Sequence, residues 1–237
     1  MKHFCVGDPH GDWTKWQRVL SKIKITDNSR IIILGDVIDR KDHGIEILKE
    51  TMRTDCMTLL LGNHEYMMRS VIDAELSHSR GSQYEEDKEL WYLNGGEPTH
   101  KSFMEMDLAE RLEVNDYLAS LPVNIELEIC NQPFKLVHAA PIEWYQNHAD
   151  YTNETEYAVW HRWGCNYPYS KEFTVVFGHT PTEMFQDGSP MRIWHGPNAI
   201  GIDTGAGYPD DFEVRYGVRG RLAALCLEDF SEYYSED

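Results

Sequence analysis

Five short polar clusters in this chain carry residues able to do chemistry. They are Gly7-Asp8-Pro9-His10-Gly11, Gly35-Asp36-Val37-Ile38-Asp39-Arg40, Gly62-Asn63-His64-Glu65, Val137-His138-Ala139 and Gly178-His179-Thr180. A lone Gly-Asp-x-His is an ordinary turn, but independent turns have no reason to repeat metal-ligand chemistry five times. Carboxylate, imidazole and amide oxygen together suit hard or borderline divalent ions such as Mn²⁺ or Fe²⁺. One ion could take Asp8 and His10 and a second Asn63, His138 and His179, with Asp36 bridging. Two cations about 3.5 to 4 Å apart clamp the attacking and departing oxygens of a phosphoryl group. Water held between them ionises to hydroxide near neutral pH, so no protein nucleophile is needed.

Each cluster follows a short apolar run, at residues 4–6, 31–34, 59–61, 134–137 and 175–177. Such runs read as buried strands, and in α/β sheets ligands bind at the carboxyl ends of strands. Between the first two, Trp13, Trp16, Val19, Leu20 and Ile23 recur at helical spacing, with Asp12 as the expected N-cap. A second helix follows Gly44. This alternation predicts a parallel sheet with right-handed crossovers. Residues 66–121 read as a polar helical insertion broken at Gly95-Gly96, with Met104, Leu108, Leu112 and Leu118 expected on its buried face. Val123, Ile125, Leu127 and Ile129 alternate as in a strand with one solvated face. Residues 141–170 are dense in Trp and Tyr without clear period, which predicts an irregular aromatic wall able to stack a base or grip a peptide. Further strands are expected at 173–177, 191–194, 199–202 and 222–227.

The chain has 237 residues, of which 41% are hydrophobic and 12% aromatic, enough for one large α/β domain with a sizeable core. Residues 1–227 are expected to form that domain. No apolar stretch approaches the ~18 residues of a membrane span, so no membrane partner is expected. The start reaches Gly7-Asp8 too soon for a signal peptide. Five cysteines without paired spacing argue against a disulfide framework and predict a reducing, cytoplasmic setting. Cys5, Cys130 and Cys226 lie in strand-like runs and read as small hydrophobes. Forty acidic against 22 basic residues give a net charge of −18, which disfavours nucleic acid as a partner. A small phosphorylated substrate is compatible, because bound cations and arginines reverse the local sign. Residues 228–237 read as a solvated acidic tail.

The ordered set G-D-x-H-G, G-D-x-x-D-R, G-N-H-E, lone His and G-H-T resembles the phosphoprotein phosphatase family of metallophosphoesterases, above all its small bacterial and phage members. Ile202-Asp203-Thr204-Gly205-Ala206 resembles the family's closing segment. The resemblance implies a β-sandwich of mixed sheets flanked by helices, in four α/β/β/α layers. It also implies the metal roles given above for Asp8, His10, Asp36, Asn63, His138 and His179, and two divalent ions, with Mn²⁺ favoured and Fe or Zn as alternatives. It pairs Asp39 with His64; a carboxylate beside imidazole favours the protonated ring, which can then donate to the leaving oxygen. Arg40 and Arg162 are implied to hold phosphate oxygens. For Arg162 the other reading is a surface arginine stacked on Trp160 or Trp163.

The activity implied is phosphomonoester hydrolysis, chiefly on phosphoserine or phosphothreonine proteins or peptides, with phosphotyrosine as a further substrate. The alternative is a nucleotide substrate, as in a diadenosine tetraphosphate hydrolase. A non-catalytic metal-binding module would be expected to lack His64, Asp39 or Arg40, and a phosphodiesterase or nuclease to carry a second His where Pro181 stands. Oligomeric state is left open. Two departures from the pattern are Lys41, where the family has glycine and a left-handed backbone would be strained, and Ala140 in His138-Ala139-Ala140. His3, His78, His100, His148 and His161 read as surface or structural. His43 and His195 are candidates to line the site, and Asp203 is expected to fix the Gly205 turn.

Overall fold

In the computed structural model, which describes residues 1–146, 150–164, 170–186, 191–209, 211–213 and 217–236, the first apolar run becomes strand β1 (Lys2–Val6). It leads through helix α1 (Trp13–Ile23), β2 (Ser29–Ile33), α2 (Gly44–Arg53) and β3 (Met57–Leu59) into four successive helices. These are α3 (Asn63–Leu76), α4 (Ser82–Leu93), α5 (Glu97–Met104) and α6 (Leu108–Ser120). The second half runs β4 (Asn124–Ile129), β5 (Gln132–Val137), α7 (Glu154–Trp160), β6 (Thr174–Phe177), β7 (Trp194–Gly196), β8 (Ala199–Gly201), β9 (Ala223–Cys226) and β10 (Glu232–Tyr234).

Two five-stranded mixed sheets result, ordered β10-β9-β1-β2-β3 and β4-β5-β6-β8-β7. The strands β1, β2 and β3 are parallel, as their helical connections require; β9 pairs antiparallel with β1, and β10 antiparallel with β9. In the second sheet β5, β6 and β8 are parallel, with β4 and β7 antiparallel at the edges. Side chains alternate along a strand, and this sets the layers. Phe4, Val6, Ile31 and Ile33 pack with Trp16, Ile47, Met68 and Leu118 of the helices, while Cys5, Ile32 and Leu34 meet Phe134, Leu136 and Val176 of the other sheet. Val137, Val175 and Phe177 turn outward onto Tyr157 and Trp163. The layers are therefore helices, sheet, sheet and helix, the four-layer sandwich expected.

Local chemistry explains the helix ends. Asp12 caps α1 by accepting from the Lys15 N–H at 3.0 Å, and Asp107 caps α6 through the Glu110 N–H at 2.9 Å. The α1 pattern buries Trp16, Val19 and Ile23. Glu126 and Glu128 are exposed on β4 between Ile125, Leu127 and Ile129, as the alternation required.

Four expectations need correction. In the helical insertion Leu118 is buried, but Met104, Leu108 and Leu112 are 44%, 62% and 46% exposed. Val114 and Leu118 face inward together, and Leu108 and Leu112 form a separate stripe roughly 120° around the same helix; Phe103 and Met106 fill the place given to Met104. Residues 232–234 are not a solvated tail. They pair with β9, Tyr234 is buried with its hydroxyl accepting from the Ile193 N–H at 3.1 Å, and Asp229 and Glu228 bond Lys2 and His3. The aromatic segment is largely a core of its own: α7 buries Tyr157, Trp144 meets Trp163 edge-on at 5.3 Å, and Tyr145 and Tyr151 pack around them. Cys130 is exposed in the β4–β5 turn, whereas Cys5 and Cys226 are buried as expected. Cys165, His148, Tyr167, Tyr169 and Asp237 lie outside the described residues. Among the described residues no helix is long and apolar enough to cross a membrane.

Candidate functional site

All five polar clusters emerge from strand ends on the same side of the sandwich, three from the first sheet and two from the second. Hydrogen bonds stitch them together. His10 N–H donates to the Asp36 carbonyl at 2.9 Å, His64 N–H to Asp36 Oδ1 at 3.1 Å, Gly178 N–H to the His138 carbonyl at 2.9 Å, and His179 N–H to Asp8 Oδ2 at 2.7 Å. A β-carbon on Gly62 would meet Asp36 Oδ1, and one on Gly178 would meet Asp8 Oδ1. These glycines let one loop's backbone lie against another loop's carboxylate.

Backbone geometry sets the site apart. His10, Asp36, Asp39, Arg40 and His179 all have positive φ, at 45°, 53°, 70°, 67° and 59°. Left-handed backbone is costly for residues other than glycine, though Asp and His tolerate it best, and such strain gathers at functional sites. Lys41 and Ala140 do not have it. The strain expected at Lys41 is therefore absent, because the left-handed positions fall at Asp39 and Arg40 instead.

The ring nitrogens of three histidines are sorted by their partners. His10 Nδ1 faces the Ile38 carbonyl at 3.2 Å, His138 Nδ1 the Leu34 carbonyl at 2.6 Å, and His179 Nε2 the Trp160 carbonyl at 3.1 Å. A carbonyl can only accept, so each of these nitrogens carries the proton and the opposite nitrogen keeps its lone pair. Metal-binding imidazoles are held in this way. His10 Nε2 then lies 3.6 Å from Asp36 Oδ2, and His138 Nε2 lies 3.5 Å from Asp36 Oδ1. Asn63 Oδ1 sits 3.0 Å from His138 Nε2 and 2.9 Å from His179 Nδ1. Ligand atoms of His10, Asp36 and His64 fall within 4.8 Å of one another, as do those of Asp36, His138 and His179. Two His/Asp clusters sharing Asp36 fit a binuclear metal site. Asp8 Oδ1 is buried without a hydrogen-bond partner, the condition of a carboxylate placed for a cation.

Electrostatics agrees with that chemistry. Burial pushes the imidazoles of His10 and His179 well below their ordinary range, with Arg40 adding to it at His10 and His138 and Arg162 at His179. Burial also lowers His138, against the opposing pull of Asp36. All three are therefore neutral, the ligating form. Burial raises the Asp8 carboxyl well above its usual range, and the carboxylates of Asp203 and Asp36 add to it. For Asp36, burial pushes upward, but His138, His64 and Arg40 together outweigh it and hold the carboxyl low.

His64 and Asp39 are both completely buried and bonded, His64 Nδ1 to Asp39 Oδ2 at 2.7 Å. His64 Nε2 lies 3.8 Å from Asp36 Oδ2 and accepts from the Arg40 guanidinium at 3.2 Å. Arg162 donates to the His179 carbonyl at 3.1 Å. Asp203 Oδ1 accepts from the Gly205 N–H at 2.9 Å, as expected for a turn-fixing residue, and burial pushes its carboxyl up to about 6. His43 and His195 do not join the clusters: His43 is exposed 3.8 Å from Glu46, and His195 pairs with Glu232 at 2.7 Å. His100 is buried between Tyr92 and Glu75.

Three supporting residues had no role assigned from sequence. Glu65 is fully buried and accepts from the N–H groups of Asp36, Val37 and Gly62 at 2.8, 2.9 and 3.1 Å, tying the second loop to the third. Burial pushes its carboxyl up to about 8, with the charge on Asp36 adding to the effect. Its place three residues after the N-cap was the available signal. The other two, Trp91 and Thr99, both contact Asp39.

Two mixed sheets with helices on both outer faces and paired His/Asp clusters at the strand ends define a metallophosphoesterase. The chain matches the calcineurin-like phosphoesterase family over residues 1–223, and it belongs to that family. No curated protein matches it. Among solved structures, a putative diadenosine tetraphosphatase is 18% identical with a TM-score of 0.59, covering 98% of this chain and 92% of that one. The cold-active protein-tyrosine phosphatase of a psychrophilic Shewanella species is 16% identical with a TM-score of 0.54, covering 99% and 80%. A Saccharomyces cerevisiae protein serine/threonine phosphatase with similarity to human phosphatase PP5 is 12% identical with a TM-score of 0.53, covering 96% and 73%. At these identities the likeness concerns the fold.

Proposed function

We propose that this calcineurin-like phosphoesterase is a phosphomonoesterase of the phosphoprotein phosphatase type, acting on phosphoserine, phosphothreonine or phosphotyrosine in proteins. One observation carries the reading. A buried His64–Asp39 pair presents Nε2 3.8 Å from Asp36, the carboxylate common to both His/Asp clusters, beside the neutral, pre-oriented imidazoles of His10, His138 and His179. Asp8 and His10 would hold one divalent ion, Asn63, His138 and His179 the other, and Asp36 both, with Mn²⁺ the metal best matched to this oxygen and nitrogen set. Bound there, such ions supply an ionisable water and neutralise charge on the phosphoryl oxygens.

The chain's own groups do the rest. Arg40 and Arg162 bind the phosphate oxygens, and a planar guanidinium suits a two-point grip. When the Arg40 donors turn to phosphate, His64 Nε2 is released from its present contact and can carry a proton. That proton passes to the leaving oxygen, while Asp39 holds the Nδ1–H and steadies the imidazolium. Pro181 follows Gly178-His179-Thr180, where a diesterase-type site would carry another imidazole.

A second reading, hydrolysis of diadenosine tetraphosphate, draws on the fold neighbour described as a putative diadenosine tetraphosphatase, matched along 92% of its length. Against it, most described aromatics of residues 141–164 are spent on internal packing and not on stacking an adenine. The deciding experiment assays Mn²⁺-loaded protein side by side on phosphopeptides and on diadenosine tetraphosphate. Preference for the phosphopeptides is expected. A higher kcat/KM on the dinucleotide would overturn it, and full activity after metal removal would overturn the two-metal reading altogether.

A further inference from the structure

The helical insertion meets the site at the Asp39-Arg40 turn. Both residues are left-handed, at φ 70° and 67°, and two such residues in succession need an external hold. Residues 91–99 supply it three times. Trp91 Nε1–H donates to Asp39 Oδ2 at 2.8 Å, Thr99 Oγ1 accepts from the Asp39 N–H at 2.9 Å, and the Gly95 carbonyl accepts from the Arg40 N–H at 2.9 Å. Asp39 Oδ2 therefore takes both the His64 Nδ1–H and the indole N–H, while Oδ1 is buried without a partner. Trp91 is itself completely buried, with the His100 ring 5.2 Å away, and His100 is fixed in turn by the Tyr92 hydroxyl at 2.7 Å and by Glu75 at 3.1 Å.

We propose that Trp91 is a positioning residue for the general acid, and that the α4–α5 corner clamps the Asp39-Arg40 turn so that His64 meets the leaving oxygen. This rests on the reading of His64 as the proton donor. A carboxylate bonded only through one imidazole could rotate about its own axis. The second donor on the same oxygen fixes it, and the ring orientation follows. Trp91 donates its indole N–H to Asp39, so its influence on proton donation runs through that carboxylate.

Trp91→Phe keeps an aromatic side chain, though a smaller one, and removes the donor. Because a hydrogen bond to a charged group is lost, kcat on a phosphoserine peptide should fall about tenfold. The loss on p-nitrophenyl phosphate should be several-fold smaller, since p-nitrophenolate leaves without a proton. Bound Mn²⁺ should be unchanged. Gly96→Ala is the second variant, because a β-carbon there would run into the Trp91 indole and push it off Asp39; it should give the same substrate split, and it supplies the reading if Trp91→Phe does not fold. His64→Asn separates the two levels. A split there but equal losses, or none, in both clamp variants would overturn the clamp alone. No split in His64→Asn would overturn the clamp and the general acid together.

Discussion

At the scale of single residues, the site depends on which protons are already in place. His64→Asn should lower kcat about 10²- to 10⁴-fold on a substrate with a poor leaving group, and less on p-nitrophenyl phosphate, as steady-state rates on the two will reveal. Asp8 makes a different prediction. Burial, then the charges of Asp203 and Asp36, hold its carboxyl above the ordinary range, whereas His10, His138 and His179 are already neutral. A cation needs the carboxylate, so wherever Asp8 still holds its proton metal uptake expels it, and apparent affinity should rise with pH through that range. Calorimetric titration of Mn²⁺ into metal-free protein should show buffer-dependent heats from proton release, and Asp8→Asn should abolish the Asp8 share. The ligand types were legible in the sequence because Asp, His and Asn stand just past apolar strands and tolerate the left-handed turns found there. Trp91 was not, because an apolar ring at helical spacing reads as core, and its indole partner lies 52 positions away.

Whole elements were legible where one periodicity prevailed. The strands that carry Asp8, Asp36, Asn63, His138 and His179 were visible as short apolar runs, and α1 by its buried stripe and Asp12 cap. Helix α6 misled because it carries two apolar stripes and packing against α3 uses only one. The distinction is measurable. Leu118→Ala should cost about 2 to 5 kcal/mol, since Leu118 is 1% exposed, whereas Leu108→Ala, at 62% exposure, should change stability by under about 0.5 kcal/mol in equilibrium urea unfolding. Strand β10 was missed for a related reason. Its acidic neighbours dominate the composition, yet they are bonded at the surface while Tyr234 and Ser235 are buried and Tyr233 packs against the core.

For the molecule as a whole, the net charge of −18 surrounds a site that must receive an anion. At low ionic strength this field reaches on the order of 30 Å, and at 0.15 M about 8 Å. A phosphopeptide flanked by lysines should therefore show a higher kcat/KM than one flanked by glutamates, and the preference should shrink as salt is added. Equal salt responses would mean that the local arginines and metals alone govern approach. The two-sheet arrangement also has a consequence for the chain's synthesis. The hydrogen bond from His179 to Asp8 spans 171 positions, and at about 5 to 20 residues per second the ribosome needs roughly 9 to 34 s between them. For most of that interval the emerging polypeptide holds His10 and Asp36 but neither His138 nor His179. A message cut short before residue 138 thus yields a product that lacks both imidazoles of the second His/Asp cluster.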